Sequence, residues 1–186
     1  TGITTPAPPA DLAGFDPQGW LAALPLKLSA AEAEVARRAL EQALPLYRDQ
    51  RLATGESLTE HALGMAEILA AMRLDYETLA AAILYAVPDR LDNFRDKLQT
   101  AFSPAIAGLV EGVARMGQIQ TLSGKAAAGE KAGDKAAQAE GLRKMLLAMA
   151  EDIRVVLIKL ADRIQTLRFV AGRELPGRDD IARETL

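Results

Sequence analysis

The spacing of apolar residues is the feature that most constrains what this chain can fold into. From Leu58 to Leu69 apolar side chains recur at intervals of three and four residues, which places them on one face of an α-helix. No segment alternates apolar and polar residues with the β-branched and aromatic enrichment of a strand, and aromatic residues make up only 4% of the chain. We therefore predict that the 186 residues form an all-α helical bundle.

The amino-terminal part has a different composition from the rest. Five of the nine prolines fall within the first 25 residues, so residues 1–28 are predicted to be extended and partly mobile, with one docking point at Phe15 and Trp20. The helical domain is predicted to cover residues 29–186. It begins at Ser29, where the letters SAAE match a capping box.

Within the helical domain, proline, glycine and apolar periodicity mark the boundaries of the elements. Pro45 is predicted to kink or end the first long helix. Further helices are predicted at residues 75–86 and 91–102, and two more lie between residue 136 and a final turn and helix. The stretch at residues 120–135 is rich in Gly, Ala and Lys without periodicity, which predicts a flexible surface loop.

Composition excludes several classes of protein. The net charge of −3 gives no basic surface for nucleic acid, so we expect no direct nucleic-acid partner. The absence of cysteine excludes disulfides and thiolate chemistry. The amino terminus lacks the features of a signal peptide, and the longest apolar run is too short to span a bilayer. We expect a soluble cytoplasmic protein with no membrane partner.

The single histidine, His61, limits the possible metal chemistry. A catalytic zinc-type site needs several imidazole or thiolate ligands, so only a carboxylate-based Mg²⁺ or Mn²⁺ site is open, with Asp162 and Asp89 as candidates. His61 lies about one position from the apolar stripe of its helix. The favoured interpretation is a histidine at the edge of the core, hydrogen-bonded to the backbone, rather than a ligand.

Nucleophilic catalysis finds no support either. Ser29, Ser57 and Ser103 each precede a predicted helix, where serine serves as an N-cap, and no second histidine is available as a base. A set of basic residues could bind an anionic ligand, or could form a solvated face paired with Glu140, Glu151 and Asp152, which is the commoner arrangement. The set is Arg143, Lys144, Arg154, Lys159, Arg163 and Arg168.

Three stretches carry a resemblance to a known family. They are TGESLTEHALGMAEILAAMRLDYETLAAAIL from Thr54, LVEGVARM from Leu109, and QAEGLRKMLLAMAEDIRVVLIKLADRIQTLR from Gln138. They resemble the amino-terminal, HD-type hydrolase domain of the RelA/SpoT family, enzymes that make and degrade the alarmones ppGpp and pppGpp. The resemblance implies an HD-domain-like helical bundle. It also implies that a synthetase domain, absent from this fragment, begins soon after Leu186.

The resemblance also implies where a metal site would lie. In active members a Mn²⁺ ion is held by a histidine, an adjacent His-Asp pair and a distant aspartate. Position by position, the first histidine falls on His61 and the distant aspartate on Asp162, whereas the His-Asp pair falls on Tyr85 and Ala86. A neutral phenol is a poor ligand for a divalent metal, and alanine offers no donor. We therefore expect no metal and no other cofactor in this fragment.

The other functional positions of the family are also substituted. The Glu-Asp pair that handles the attacking water falls on Asp89 and Arg90, so one carboxylate is shortened and the other is replaced by a cation. The Arg-Lys pair that packs against the nucleotide falls on Leu52 and Ala53. The family's His-Asn pair after the distant aspartate falls on Gln165 and Thr166. No catalytic or substrate-binding residue is therefore expected to have kept its role.

This pattern is similar to the monofunctional, RelA-type branch, whose full-length proteins are GTP pyrophosphokinases. It implies an inactive domain that acts on the synthetase domain of the same chain, while the ribosome contacts the full-length protein through other regions. Two alternatives stay open. One is a weak (p)ppGpp hydrolase that uses His61, Asp162 and Asp89. The other is a nucleotide sensor that binds through Arg143, Arg163 or Arg168.

Overall fold

The computed structural model describes residues 14–127 and 152–172, with side chains described up to residue 118 in the first range. Seven α-helices lie in these ranges. They are α1 (Pro17–Ala23), α2 (Ala30–Tyr47), α3 (Leu58–Ala71), α4 (Tyr76–Ile83), α5 (Phe94–Ala101), α6 (Pro104–Ala127) and α7 (Ile153–Ala171). A 3-10 helix covers Val87–Asp89, and the only β-type pairing in this part of the chain is an isolated bridge between Arg51 and Ser57. The all-α prediction is confirmed.

The starts of the helices follow the predicted capping residues. The backbone N–H of Glu32 donates to Ser29 Oγ at 3.3 Å, and that of Ser29 donates to Glu32 Oε2 at 2.7 Å, so the capping box is confirmed. Ser103 Oγ accepts the N–H of Ile106 at 3.1 Å ahead of α6. Ser57 occupies the N-cap position of α3 but makes no side-chain capping bond.

Residues 1–28 are not extended throughout, in contrast to the prediction. Pro17–Ala23 form α1, because Pro17 has its backbone angle preset for the first helical position and Asp16 accepts the N–H of Gln18 at 3.0 Å. Leu21 and Leu24 are buried, which fixes α1 on α2. Residues 1–13, also predicted to be extended and mobile, lie outside the described residues.

The predicted docking point at Phe15 and Trp20 is confirmed. Both side chains pack against the core, with ring centroids 6.3 Å apart. The indole N–H of Trp20 donates to Glu67 Oε1 on α3 at 3.1 Å. Because the pairing residues are 47 positions apart, this contact ties the amino-terminal segment to the centre of the bundle.

Several helix boundaries differ from the prediction. Helix α2 does not end at Pro45, one of the two predicted outcomes, but continues to Tyr47, since a proline in the last turn removes only one backbone donor. Helix α6 continues to Ala127, so residues 120–127 are not part of a loop. Once a helix has formed, each added residue gains a hydrogen bond, and alanine and lysine propagate it well. The rest of the predicted loop, the first of the two helices after it, and the final turn and helix lie in residues 128–151 and 173–186, outside the described residues. The second of those two helices is confirmed as α7.

Helix α4 ends at Ile83 rather than at the predicted Ala86. The buried hydroxyl of Tyr47 provides the reason. It donates to the carbonyl of Ile83 at 2.9 Å and accepts the N–H of Ala86 at 3.1 Å. The side chain thereby satisfies backbone groups that continued helix would have paired, and the chain turns into the 3-10 helix. The predicted helix at residues 91–102 is likewise shorter, Phe94–Ala101.

Helix α3 occupies the centre of the bundle. Eleven of its residues are buried, including His61 and Gly64. It packs against α4 on one side and α7 on the other, while α4 also contacts α2 and α6. Helix α7 buries Val155, Ile158 and Ala161 on its inner face. Across the described residues, no helix has the length and apolar character needed to cross a membrane.

Ser103 and Ser57 offer a matched test of capping. We expect Ser103→Ala to lower the free energy of unfolding by about 1 kcal/mol, because the N–H of Ile106 loses its acceptor. Ser57→Ala removes no capping hydrogen bond, so it is expected to lower the free energy of unfolding by only about a few tenths of a kcal/mol. Urea denaturation followed by circular dichroism measures both. Equal losses would show that the Ser103 contact has no specific role.

Candidate functional site

The site begins in the turn before α3. The N–H of Leu52 donates to the carbonyl of Glu56, and the N–H of Leu58 donates to the carbonyl of Gln50, both at 2.9 Å. Gly55, at a φ of 83°, supplies the left-handed conformation that this tight turn needs. The turn brings the side chain of Glu56 under α3, where it is only 1% exposed.

His61 meets two carboxylates in the core. Its Nδ1 lies 2.8 Å from Glu56 Oε2, and its Nε2 lies 2.9 Å from Asp162 Oδ1. The histidine is 0% exposed. The predictions of a core-edge position and of a backbone partner were therefore wrong, because the turn at Glu56 and helix α7 close over both edges of the ring.

Helix α7 completes the arrangement with three side chains on consecutive turns. Lys159 Nζ lies 2.5 Å from Asp162 Oδ2, and Gln165 donates from Nε2 to Glu56 Oε1 at 2.6 Å. The result is one continuous series of contacts, Gln165–Glu56–His61–Asp162–Lys159, which we call the buried polar chain. It links the turn before α3, α3 itself and α7.

The geometry favours a His61 ring that is protonated on both nitrogens. A carboxylate only accepts hydrogen bonds, so contacts from both ring nitrogens to carboxylates require a proton on each nitrogen. Burial lowers the pKa of His61, but hydrogen bonds to Asp162 and Glu56 outweigh it and raise the pKa above its usual value. For Asp162, burial raises the pKa, yet the contacts with His61 and Lys159 lower it to about 2.

Tyr85 fills the space beside this chain. Its ring centroid lies 5.7 Å from that of His61 and 6.4 Å from that of Tyr47. The phenol oxygen is buried and makes no hydrogen bond within the described part of the chain. Burial, followed by the charge of Asp162, raises the pKa of Tyr85 well above its usual value. The side chain is therefore a neutral phenol that acts by packing.

Ala86 and Arg90 are held by the turn after α4. The N–H of Ala86 donates to the Tyr47 hydroxyl, and the Ala86 carbonyl accepts from Arg90 Nη1 at 2.9 Å. The Arg90 guanidinium also lies 5.9 Å from the centroid of the Tyr47 ring. A cation thus contacts the backbone of this turn at a position that the family resemblance predicts to be substituted.

Of the remaining predicted positions, only Thr166 contacts a member of the buried polar chain. The side chain of Asp89 is 82% exposed and lies 3.9 Å from Arg90. The side chain of Asp162 is only 18% exposed and contacts His61 and Lys159. These two carboxylates therefore have different surroundings and different partners. Leu52 is partly buried against the core, and Ala53 is exposed. Thr166 donates from Oγ1 to the carbonyl of Asp162 at 3.0 Å.

Two of the six basic residues, Arg154 and Lys159, contact carboxylates in the described part of the chain, and Asp152 is the one predicted partner that lies in that part. Arg154 contacts Asp152 at 2.7 Å, Glu77 at 3.0 Å and Asp75 at 3.1 Å, and Lys159 contacts Asp162. Elsewhere on α7, Arg163 is half-buried and Arg168 is exposed. The others, Arg143 and Lys144, together with Glu140 and Glu151, lie outside the described residues.

The donors of this site do not fit a divalent metal ion as they are arranged. Each of the four carboxylate oxygens of Glu56 and Asp162 already has a partner, and both nitrogens of His61 are engaged. Across residues 14–118 and 152–172, no group of three or more His, Asp and Glu side chains converges on a point where an ion could bind. The expectation of a metal-free domain stays a prediction.

Comparison with known proteins agrees with the fold. The sequence profile described as "HD domain" matches residues 39–186, so the chain belongs to the HD-domain family. Within it, the chain is 38% identical over 159 residues to a guanosine-3′,5′-bis(diphosphate) 3′-pyrophosphohydrolase of Vibrio cholerae. The matched residues make up 86% of this chain and 21% of that protein. These matches, with those that follow, establish membership of the RelA/SpoT family.

Two further relatives carry different activities in their names. The bifunctional (p)ppGpp synthase/hydrolase SpoT of Escherichia coli is 40% identical over 151 residues, covering 79% of this chain and 20% of that protein. The GTP pyrophosphokinase rsh of Brucella melitensis is 36% identical over 149 residues, covering 80% of this chain and 18% of that protein. The chain therefore spans about a fifth of the length of these relatives.

Sequence reasoning missed three members of the site. Glu56 lies five residues before His61, but the pattern of the turn gives no sign that its carboxylate is buried. Tyr47 falls in the last turn of α2, where its role in ending α4 depends on the tertiary structure. Gly64 belongs to the site because a Cβ atom on it would overlap the side chain of Gln165. It did offer a signal, because a glycine inside a strongly periodic helix indicates a close approach of a neighbouring group.

The protonation of His61 can be measured directly, because the chain has one histidine. We expect both ring nitrogens to carry protons at pH 7.5, where about a tenth of free histidine is protonated. A long-range ¹H–¹⁵N correlation spectrum of the native chain gives the answer. An unprotonated ring nitrogen at this pH would contradict the arrangement.

The same contacts predict how stability varies with pH. The raised pKa of His61 stabilises the fold fully below about pH 6.5, and this contribution is lost as pH rises through its folded-state pKa. The lowered pKa of Asp162 contributes above its usual value of 3.8 and is lost as pH falls towards about 2. Urea denaturation across this range should therefore show a maximum between these limits.

Proposed function

We propose that this domain is a catalytically inactive, HD-type hydrolase-like domain of a RelA-like (p)ppGpp synthetase. The observation that carries the proposal is the engagement of both nitrogens of His61 and all four oxygens of Glu56 and Asp162 within the protein. A metal-dependent hydrolase needs free donors to hold its ion and to activate water. These donors are directed at one another instead.

The surroundings of Tyr85 support the same proposal. The neutral phenol packs on His61 and supplies no anionic donor. Arg90 holds the carbonyl of Ala86 and supplies a cation where the family's water-handling pair has a carboxylate. A general base must accept a proton near neutral pH, which a guanidinium cannot do. Tyr85 therefore weakens metal binding, and Arg90 removes a base that could activate water.

In the parent protein, this domain would serve a GTP pyrophosphokinase, which transfers pyrophosphate from ATP to the 3′-hydroxyl of GTP or GDP. The relative of Brucella melitensis bears the name GTP pyrophosphokinase. We propose that the domain packs against the synthetase domain of the same chain and biases it between two conformations. Contacts with the ribosome would involve other regions of the full-length protein.

The outer face of α7 provides a surface for this packing. Ile153, Leu160 and Ile164 are 61%, 52% and 39% exposed. Their spacing of seven and four residues places them on one side of the helix, opposite the inner face that contacts α3. Because this is the spacing of a helix–helix seam, we propose that a helix of the synthetase region covers it.

Loss of hydrolysis can be tested on the purified chain. With ppGpp and Mn²⁺, we expect no release of pyrophosphate above the background without protein, because the donors that would hold the ion are engaged. The bifunctional SpoT of Escherichia coli, assayed in parallel, provides the positive control. Release that disappears in Asp162→Ala would instead support the weak hydrolase.

A double variant sharpens this test. Tyr85→His with Ala86→Asp restores both missing metal ligands, yet we expect no hydrolysis, because Arg90 still occupies the water-handling position. Measurable hydrolysis by this variant would show that only the ligand pair was lost. Titration calorimetry with GTP and ppGpp covers the remaining alternative, since binding in the absence of hydrolysis would support a nucleotide sensor.

The packing surface makes a separate prediction. Leu160→Glu should leave the melting temperature of the chain itself within about 1 °C, since this side chain is half exposed. In the full-length protein it should lower the melting temperature of this domain by roughly 3 °C or more, because a carboxylate would be buried in the seam. Differential scanning calorimetry measures both.

Met72→Glu is the matched control, because Met72 is 49% exposed and lies at the end of α3 rather than on α7. It should have little effect in either protein. If Leu160→Glu and Met72→Glu behave alike in the full-length protein, the outer face of α7 is not the contact surface.

A further inference from the structure

We propose that the buried polar chain replaces a bound metal ion as the link between α3 and α7, and that Gln165, which fits against Gly64, is the residue that closes it. The proposal concerns how the two helices are held together. It rests on the proposed function in one respect, the absence of a metal, and adds the residues that take over the structural role of the ion.

The first step is the connectivity of the buried polar chain. Glu56 and His61 belong to the α3 side, whereas Asp162 and Gln165 belong to α7. Two contacts cross between these sides, from His61 to Asp162 and from Gln165 to Glu56, at 2.9 and 2.6 Å. A metal ion would join the helices through one central point. Here two separate side-chain contacts join them.

The second step is the way in which the chain ends. A buried carboxylate oxygen without a hydrogen-bond partner is costly, so the carboxylate at each end of the buried polar chain needs a donor. Lys159 closes one end at Asp162 Oδ2, and the amide of Gln165 closes the other at Glu56 Oε1. Asp162 and Gln165 are three residues apart on α7, which places both side chains on the face towards α3.

The third step is the space that Gln165 occupies. A Cβ atom built on Gly64 would overlap the Oε1 and Cδ atoms of the Gln165 side chain. No side chain fits there while the amide is in place. His61 and Gly64 are three residues apart on α3, so they face Asp162 and Gln165 as two opposed pairs. Gly64 therefore leaves the space in which the Gln165 amide reaches Glu56 and completes the buried polar chain.

A double-mutant cycle on the full 186-residue chain tests this pairing. Gly64→Ala should push the amide away from Glu56, and Gln165→Ala should remove it. Each is expected to lower the melting temperature by roughly 3–8 °C, because the same buried oxygen of Glu56 loses its donor. The double variant should melt no lower than Gln165→Ala alone, since the methyl group added at position 64 then has nothing to displace.

Gly108→Ala is the matched control for a glycine-to-alanine change within a helix. A Cβ on Gly108 meets nothing within 4 Å, so the variant should melt at the same or a higher temperature because alanine favours helix. Losses from Gly64→Ala and Gln165→Ala that simply add would overturn the pairing. The same holds if Gly64→Ala behaves like Gly108→Ala.

A second measurement on the native chain tests the replacement of the ion and does not require any variant to fold. We expect the melting temperature to differ by less than about 1 °C between 1 mM MnCl₂ and 1 mM EDTA, because an ion that binds the native state would raise it. A rise of several degrees with Mn²⁺ would overturn the proposal.

The outcomes separate this inference from the proposed function. Hydrolysis of ppGpp by the purified chain would contradict the proposed function through a product that is measured directly. An additive cycle, with no hydrolysis and no effect of Mn²⁺, would overturn only the role of Gln165 and Gly64. A non-additive cycle together with equal melting in MnCl₂ and EDTA supports both parts of the inference.

Discussion

The contact of His61 with two carboxylates is the interaction on which the rest of this structure depends. A charged group in the core is costly unless it is paired, and removing one partner of a buried pair typically costs roughly 3–5 kcal/mol. An exposed pair contributes less than about 1 kcal/mol. Glu56 and His61 are 1% and 0% exposed, so the turn before α3 and the position of α7 must both fit this contact. Lys159 and Gln165 then have to satisfy the oxygens that His61 leaves.

A second constraint comes from Tyr47. Its buried hydroxyl bonds to both sides of the turn after α4, at the carbonyl of Ile83 and the N–H of Ala86. This contact sets where α4 ends and how the backbone leads to Arg90. Tyr85 packs between Tyr47 and His61. Two aromatic side chains and a fixed turn thus occupy the space beside His61. The packing that holds the fold together here is also the packing on which the proposed loss of hydrolysis rests.

If hydrolysis is lost as proposed, the domain acts on its parent protein through its surface rather than through a reaction. The helices around the site remain packed, and the outer face of α7 keeps Ile153, Leu160 and Ile164 exposed. A domain whose interior is fixed by its own side chains offers a constant surface for a neighbouring domain. Its influence would then follow from how that neighbour docks, rather than from whether an ion or a nucleotide is bound.

The sequence by itself determined the helical class and the capping residues Ser29 and Ser103. These depend on local spacing and on side-chain chemistry, which are readable in one dimension. The substituted positions at Tyr85, Ala86 and Arg90 followed from the resemblance to a family. Only the tertiary structure decided that His61 is fully buried and that Gln165 meets both Glu56 and Gly64. The partners in these contacts are 101 and 109 residues apart for His61–Asp162 and Gln165–Glu56. Such pairings depend on how helices pack, and no periodicity within a helix specifies which distant residue faces it.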